Sequence, residues 1–222
     1  TKGALANASA NYAAVEDHEG VIRVNELFVS LFPNDDDAHI YLFENAEHYL
    51  SLGDVDKANE IYQRFSARFP NNPRTIQANY ERGKYFLEQG SLAQASREFS
   101  KTVTAHDRMV DRGLPGSPKY ASRSLAQVLE WEHAEYDEIQ FRLPTSSLRA
   151  SEKEKVAKRN NLIEKYQKLL SFGQKEGYAG FYRMGLLDDE LARVTYEQEV
   201  PDYNRQDRRL QATTDLVDKS II

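Results

Sequence analysis

The sequence predicts an all-α protein in which helical hairpins follow one another along the chain. The first observation is a repeat with a period of 37 residues, which relates Gly53 to Gly90. The second is the helical spacing of the large apolar residues around these glycines. The third is the length of the later helical patterns, which run through residues 119–143 and 145–172 without Pro or Gly. Small residues at a fixed period, with large apolar residues between them, are typical of stacked helical hairpins.

A first, degenerate hairpin is predicted at residues 4–16 and 19–32. Tyr12 lies 37 residues before Tyr49, and Phe32 lies 37 residues before Phe69, so each pair occupies equivalent positions of the repeat. Residues 1–10 are small and polar, so they are expected to form either a frayed helix end or a disordered segment. The repeat therefore starts before its two complete copies.

Three consecutive Asp residues, 35–37, follow Pro33 and Asn34. Carboxylates at a helix start accept from free N–H groups and complement the positive end of the helix dipole. A calcium loop would need alternating oxygen ligands, a Gly at the sharp turn and a later bidentate Glu, and these are missing. The prediction is a helix start.

The two complete repeats predict two regular hairpins. A turn Gly separates the helices of each, Asp54 caps one second helix, and Ala58 is small because two helices cross there. Pro70 and Pro73 close the unit, because neither can continue a helix. The four helices are predicted at residues 38–51, 55–68, 74–88 and 92–105.

This order of residue types resembles the tetratricopeptide repeat (TPR) family. The residues that carry the likeness in one copy are Ala46, Tyr49, Gly53, Ala58, Tyr62, Phe65, Phe69 and Pro70. The Phe-Pro-Asn-Asn-Pro joint is similar to TPR proteins of the bacterial cell envelope, of the outer-membrane assembly lipoprotein type. The consensus length is 34 and the consensus Trp is replaced here by Leu42 and Asn79, so related helical repeats stay open as an alternative. The resemblance covers residues 12–105 and implies a superhelical array.

Beyond the repeats, residues 106–119 contain two Gly and two Pro, and are predicted to be a loop. The domain organisation is then three TPR-like hairpins in residues 1–105, the loop, and residues 120–222 as a long hairpin plus TPR-like and capping helices continuous with the array. These later helices are predicted at residues 118–142, 148–172, 177–199 and 204–219. Their order is similar to TPR proteins of gliding and predatory bacteria.

Charge and composition narrow the function classes. The net charge of −6 argues against nucleic acid as the partner. Five basic residues between Arg149 and Arg159 alternate with Glu, which indicates a solvated helix face with i,i+4 pairs. The chain has no Cys, which excludes disulfides and thiolate metal sites. No apolar run is long enough to span a membrane. Because the chain begins with Thr1 rather than Met, we expect it to be either a mature chain that has lost a signal peptide or lipid anchor, or an excised segment.

No catalytic motif is present, so the protein is predicted not to be an enzyme and to need no cofactor. No two of the five His lie at i,i+3 or i,i+4, so no metal site is predicted. A hydrolase or glycan-active site in the 106–119 loop, using His106 and Asp107, remains the less favoured alternative.

The TPR resemblance implies a concave groove lined by the first helix of each hairpin. Its partner-binding residues would be Phe43, Glu44, Glu47, Tyr80, Glu81, Lys84, Ser124, Gln127 and Trp131. Phe43 and Tyr80 are either anchors for a peptide or packing residues between helices. The charges of the groove suit a mixed or modestly basic ligand.

The sequence thus predicts a non-catalytic scaffold that binds a protein or peptide in a bacterial envelope complex, periplasmic or associated with the outer membrane, with a cytoplasmic location as the alternative. A second hypothesis is a spacer in a larger protein, with self-association through helices 118–172. The oligomeric state is expected to be a monomer or a weak homodimer.

Overall fold

Helices joined by short connections make up the part of the chain that the structure describes, residues 1–198, with the side chain of Thr145 excepted. The computed structural model contains nine α-helices and no strand in these residues, so the prediction of an all-α fold is confirmed for them. The predicted helix at residues 204–219 lies outside the described residues. The helices are α1 (Lys2–Ala14), α2 (His18–Leu31), α3 (Ala38–Ser51), α4 (Val55–Arg68), α5 (Arg74–Glu88), α6 (Leu92–Asp111), α7 (Pro118–Asp137), α8 (Thr145–Ser171) and α9 (Lys175–Glu197).

The predicted bounds of α3, α4 and α5 are confirmed, whereas α6 is longer than expected. The prediction that residues 106–111 belong to a loop is wrong. In the repeat, His106 stands where Phe32 and Phe69 stand, and both of these precede a Pro that ends the helix. His106 precedes Asp107 instead, so nothing stops the helix until Gly113, which has a φ of 69°.

The ends of the other helices also differ from the predictions. Helix α1 begins at Lys2, so residues 2–10 are helical rather than disordered, and Ser9 is buried. Helix α7 ends at Asp137, five residues before its predicted end at 142, and α8 begins three residues before the expected 148. Pro144 is the residue that precedes the first turn of α8.

The chain forms two compact units, and the division falls inside α7 between Ser124 and Leu125. In unit 1, each helix from α1 to α6 packs against its neighbours in sequence. In unit 2, α8 packs along α9. Short connections make such neighbouring helices antiparallel.

The turns within the first three hairpins follow the 37-residue period. Glu16, Gly53 and Gly90 occupy the same place and have φ values of 57°, 77° and 70°. In the second of these turns the N–H of Asp54 donates to the carbonyl of Tyr49 at 2.9 Å, which closes the end of α3. The first hairpin therefore has the same turn as the others although it lacks the glycine.

Aromatic and small residues hold unit 1 together. The rings of Phe43 and Phe65 are 5.1 Å apart, and both side chains are buried in a core that also contains Ala46 and Ala58. Gly83 is required where α5 meets α6, because an added Cβ would lie 2.6 Å from the ring of Phe99. Small residues at helix crossings, as predicted, let the helices approach closely.

Unit 2 has a buried charged residue. Lys155 is fully buried, and its Nζ donates to the carbonyls of Tyr136 and Ile139 and to Oε1 of Glu190 at 3.2, 2.8 and 3.0 Å. The prediction that Lys155 belongs to a solvated helix face is therefore wrong. Its ammonium thus donates to one carbonyl in the last turn of α7 and to one carbonyl just beyond the end of this helix.

The neighbours of Lys155 on α8 also pair across helices rather than along their own. Lys158 contacts Glu135 at 2.6 Å, and Arg159 pairs with Asp188. For Lys158 and Arg159, the predicted i,i+4 pairs are thus replaced by ion pairs to α7 and α9. The face was read as solvated because the sequence shows only the partners that lie on the same helix.

Candidate functional site

The face of unit 1 that gathers most of the predicted binding residues is built on α3, α5 and the first turns of α7. Tyr80 and Tyr120 are half-buried, and their ring centroids are 5.0 Å apart. Tyr80 also lies 5.9 Å from the ring of Phe99, so it is supported from below by α6. We refer to this surface, defined by Glu44, Glu47, Tyr80, Glu81, Lys84, Tyr120 and Arg123, as the Tyr80 face.

Carboxylates surround the tyrosine pair. Burial and the nearby carboxylate of Glu81 raise the pKa of Tyr120, and the charge of Glu47 acts in the same direction. The same two carboxylates contribute to the raised pKa of Tyr62, where burial is again the main cause. Glu47 on α3 and Glu81 on α5 are therefore close enough to act on the same phenol groups.

The charges at the two edges of this surface are partly compensated. Burial raises the pKa of Glu44, the guanidinium of Arg74 opposes that rise, and the charge of Glu47 adds to it. Lys84 lies 3.1 Å from Glu81; burial lowers the pKa of Lys84, but the hydrogen bond and charge of Glu81 outweigh that effect and the pKa is raised. The surface carries both signs of charge, with Glu47 exposed.

Two predicted binding residues are buried instead. Phe43 is 2% exposed and packs against Tyr62 and Phe65, so its ring belongs to the core and is unavailable to a partner. Ser124 is fully buried. Both were proposed to line the groove, and for their side chains that interpretation is corrected.

The remaining predicted residues lie on α7 in unit 2. Gln127 is half-buried, and its Nε2 donates to Oε2 of Glu130 at 3.4 Å. Trp131 is half-buried as well. Their binding role stays a prediction.

Sequence reasoning missed Tyr120 and Arg123. Both lie in the first two turns of α7, and Arg123 is near enough to Tyr120 to oppose the rise of its pKa. The connection between α6 and α7 adds residues that break the 37-residue period, so no spacing pointed to them. An aromatic residue at the start of a predicted first helix was the one available signal.

The loop after α6 is held by His106, the residue on which the hydrolase alternative rests. His106 is 6% exposed, and its Nδ1 accepts from the backbone N–H of Ser117 at 2.8 Å. Gly116 lies against the ring, where an added Cβ would be 2.6 Å from Nδ1. The imidazole is therefore occupied in fixing the connection between α6 and α7.

The structure also brings together two His that are distant in sequence. His18 on α2 and His48 on α3 have their Nδ1 atoms 2.9 Å apart. Burial lowers the pKa of His48, and the charge of His18 lowers it further. Among the described residues, no group of three or more His, Cys, Asp or Glu is placed to hold a metal ion.

None of the helices in the described residues is long and apolar enough to cross a membrane. Comparison of the sequence with protein-family models and with curated proteins finds no match. The functional argument therefore rests on the geometry of unit 1 and unit 2.

Proposed function

We propose that the protein is a TPR-like, non-catalytic scaffold and that the Tyr80 face of unit 1 binds a peptide or protein segment. The observation that carries the proposal is the half-buried pair of Tyr80 and Tyr120, with Glu47 and Glu81 beside it. Tyr is favoured at binding surfaces because a large ring adds contact area while its hydroxyl still forms hydrogen bonds.

The charge of the surface indicates the kind of segment. Glu44, Glu47 and Glu81 come from successive first helices, and Lys84 already pairs with Glu81. A segment with Lys or Arg beside an apolar or aromatic residue would complement both the carboxylates and the rings. The partner would thus be mixed or modestly basic.

The TPR-like superhelix itself is part of the proposal. Its support is the common turn at Glu16, Gly53 and Gly90 and the packing of successive helices in unit 1. A role in a bacterial envelope complex, periplasmic or associated with the outer membrane, follows from the resemblance of the Phe-Pro-Asn-Asn-Pro joint.

Selection of binders from a random peptide library displayed on phage tests the proposal. We expect selected peptides to carry Lys or Arg near an aromatic residue, and their affinity to fall at least tenfold in the double variant Glu47→Lys and Glu81→Lys. The matched control is Glu154→Lys with Glu164→Lys, which changes the net charge equally on exposed positions of α8. Equal loss in both variants, or no loss in the first, would contradict the proposal.

Tyr80→Ala is a poor probe of binding alone. Because Tyr80 contacts both Phe99 and Tyr120, its removal is expected to lower stability as well. Tyr80→Phe keeps the ring and removes only the hydroxyl, so it separates the two effects. The circular dichroism melting curve identifies which variants remain folded.

A second candidate function is self-association, for which α9 supplies a specific observation. Tyr178, Phe181 and Tyr182 are 79%, 67% and 69% exposed, and their i,i+3,i+4 spacing places them on one face. Exposed aromatic clusters of this kind mark interaction surfaces. Leu169, which lies within the helices 118–172 predicted for this role, is 1% exposed and belongs to the core of unit 2.

Light scattering distinguishes this candidate from a monomer. If α9 mediates a dimer, the double variant Phe181→Glu and Tyr182→Glu should reduce the measured mass by half at high protein concentration. The control Asn161→Glu with Gln167→Glu adds the same two negative charges at exposed positions of α8 and leaves the aromatic face of α9 unchanged. A monomeric mass for the unmodified protein would remove the candidate.

A further inference from the structure

A cavity of about 600 Å³ lies in unit 1, and none of the residues of the Tyr80 face lines it. Its walls come from α4, α5 and α6, with Thr75 and Asn79 of α5 among the lining residues. Helix α6 contributes three cationic side chains, Arg97, Lys101 and Arg108. The cavity is a candidate binding site separate from the proposed function.

Its charge differs from that of the protein as a whole. The chain has 35 acidic and 29 basic residues, yet no Asp or Glu occurs in residues 61–80, which supply the α4 and α5 walls. Arg97, Lys101 and Arg108 lie on one side of α6, because separations of four and eleven residues bring a helix back to nearly the same direction. The result is a basic stripe along the cavity.

Most of that charge has no internal partner. Glu98, a buried carboxylate of α6, lies 2.7 Å from Lys101 and 3.7 Å from Arg82. Within the residues that the structure describes, Arg97 and Arg108 form no hydrogen bond or ion pair. Two guanidinium groups therefore remain available to a ligand at opposite ends of the stripe.

The distance between Arg97 and Arg108 restricts the kind of ligand that can contact both. Eleven residues of helix separate Arg97 from Arg108, which corresponds to about 16 Å at 1.5 Å per residue. An extended peptide advances about 3.3 Å per residue, and its side chains alternate between two faces. Side chains four residues apart therefore share a face at about 13 Å, and the long, flexible Arg side chains span the remaining distance. Arginine binds carboxylates with two parallel hydrogen bonds, which suits Asp or Glu at both positions.

We propose that the cavity between α4 and α6 binds an acidic linear segment of a partner protein, with two carboxylates four residues apart contacting Arg97 and Arg108. This site takes the opposite charge to the one expected at the Tyr80 face, so a single partner segment cannot satisfy both.

Fluorescence anisotropy with a labelled peptide, Glu-Ser-Ala-Ser-Glu, tests the proposal at low salt. We expect saturable binding that weakens at least tenfold in the double variant Arg97→Ala and Arg108→Ala. The matched control Arg142→Ala with Arg149→Ala removes the same charge from exposed positions of unit 2 and should bind as the unmodified protein does. Equal weakening in both variants would show unspecific attraction and overturn the site.

The spacing is tested separately. A peptide of the same composition with its two Glu adjacent should bind at least threefold more weakly, and inorganic phosphate should compete only at concentrations where salt alone does. No binding of the first peptide, equal binding of both peptides, or displacement by phosphate at lower concentrations would overturn the proposal. The variant Glu47→Lys with Glu81→Lys should leave this binding intact, so failure here is distinguishable from failure at the Tyr80 face.

Discussion

Unit 1 and unit 2 are both helical, but different contacts hold their helices together. In unit 1 the contacts are mainly between rings, such as Phe43 with Phe65 and Phe28 with Tyr41 at 4.3 Å. In unit 2 buried polar groups join the helices: the hydroxyl of Tyr136 donates to the carbonyl of Leu187 at 2.6 Å. Apolar packing at a fixed period can be repeated along a chain, whereas a buried polar contact needs one specific donor and one specific acceptor at a single position.

The largest loss of stability is expected for a substitution of Lys155. Lys155→Ala removes a buried ammonium that donates to Glu190 and to the carbonyls of Tyr136 and Ile139, which should cost about 3 kcal/mol of unfolding free energy. Urea denaturation followed by Trp131 fluorescence reports on unit 2, since this is the single Trp of the chain. The control Lys158→Ala removes a more exposed ion pair and should cost less than about 1 kcal/mol. Similar losses in both variants would show that the buried contacts do not dominate unit 2.

Glycine substitutions compare the packing of the two units. Gly83→Ala in unit 1 places a methyl group against the ring of Phe99, and we expect a loss of about 1–3 kcal/mol because the core is already filled. Gly185→Ala in unit 2 meets no neighbouring atom and should gain up to about 1 kcal/mol from better helix propensity. Thermal melting followed by far-UV circular dichroism measures both. A neutral Gly83→Ala would mean that Phe99 can move aside.

Acidification provides a weaker test of unit 1. Burial and His18 lower the pKa of His48, so the unfolded state binds more protons than the folded state just below the ordinary His pKa of about 6.5. Stability should therefore be fully present above pH 6.5 and decline as the pH falls below it. His48→Asn should flatten that decline in urea titrations at pH 7.5 and 5.5. An unchanged pH dependence in the variant would assign the decline to other groups.

The smallest change in stability is expected at Glu16, in the turn between α1 and α2. Glu16 has a φ of 57° where the other two hairpins have Gly, so Glu16→Gly should raise stability by about 0.5 kcal/mol through relief of backbone strain. Gly53→Ala, the reverse test at the equivalent place, should lower it by about 1 kcal/mol. Urea denaturation followed by circular dichroism is sensitive enough if both variants are measured with the unmodified protein. A lower stability of the Glu16→Gly variant would indicate that the Glu16 side chain stabilises the fold by more than the backbone strain costs.

Much of unit 1 was predictable because its information is local and repeated. The period located the turns at Gly53 and Gly90, and Pro70 marked the end of α4 as expected. The error at α6 has the same origin: the repeat was assumed to end at His106, but no Pro follows it. A period predicts positions, while the residue at each position decides whether the helix stops.

Unit 2 was less predictable because its decisive contacts join residues far apart in sequence. Lys155 and Glu190 are 35 residues apart, and a Lys among Glu residues reads as a solvated face. Tyr182 and Gly185 of α9 are both exposed. Gly180 faces α8 instead, where an added Cβ would be 3.1 Å from Leu169. The apolar pattern of α9 has aromatic residues on two sides, so spacing alone could not choose its buried face.

The candidate site shows the same limit. Glu47, Tyr80, Glu81 and Lys84 were predicted from helix positions, and the structure brings them onto one surface. The choice between anchor and core for Phe43 needed the structure, because a ring one helix position from a buried stripe can point either way.

The packing of each helix in unit 1 against its neighbours in sequence has a consequence for how the chain is made. Contacts that are short in sequence cost little loop-closure entropy, so domains built from them fold fast. As the chain leaves the ribosome, α1 and α2 can pair before α3 has been synthesised, and each new helix then finds a surface already formed. We expect unit 1 to acquire its structure during translation, from its N-terminal end onwards.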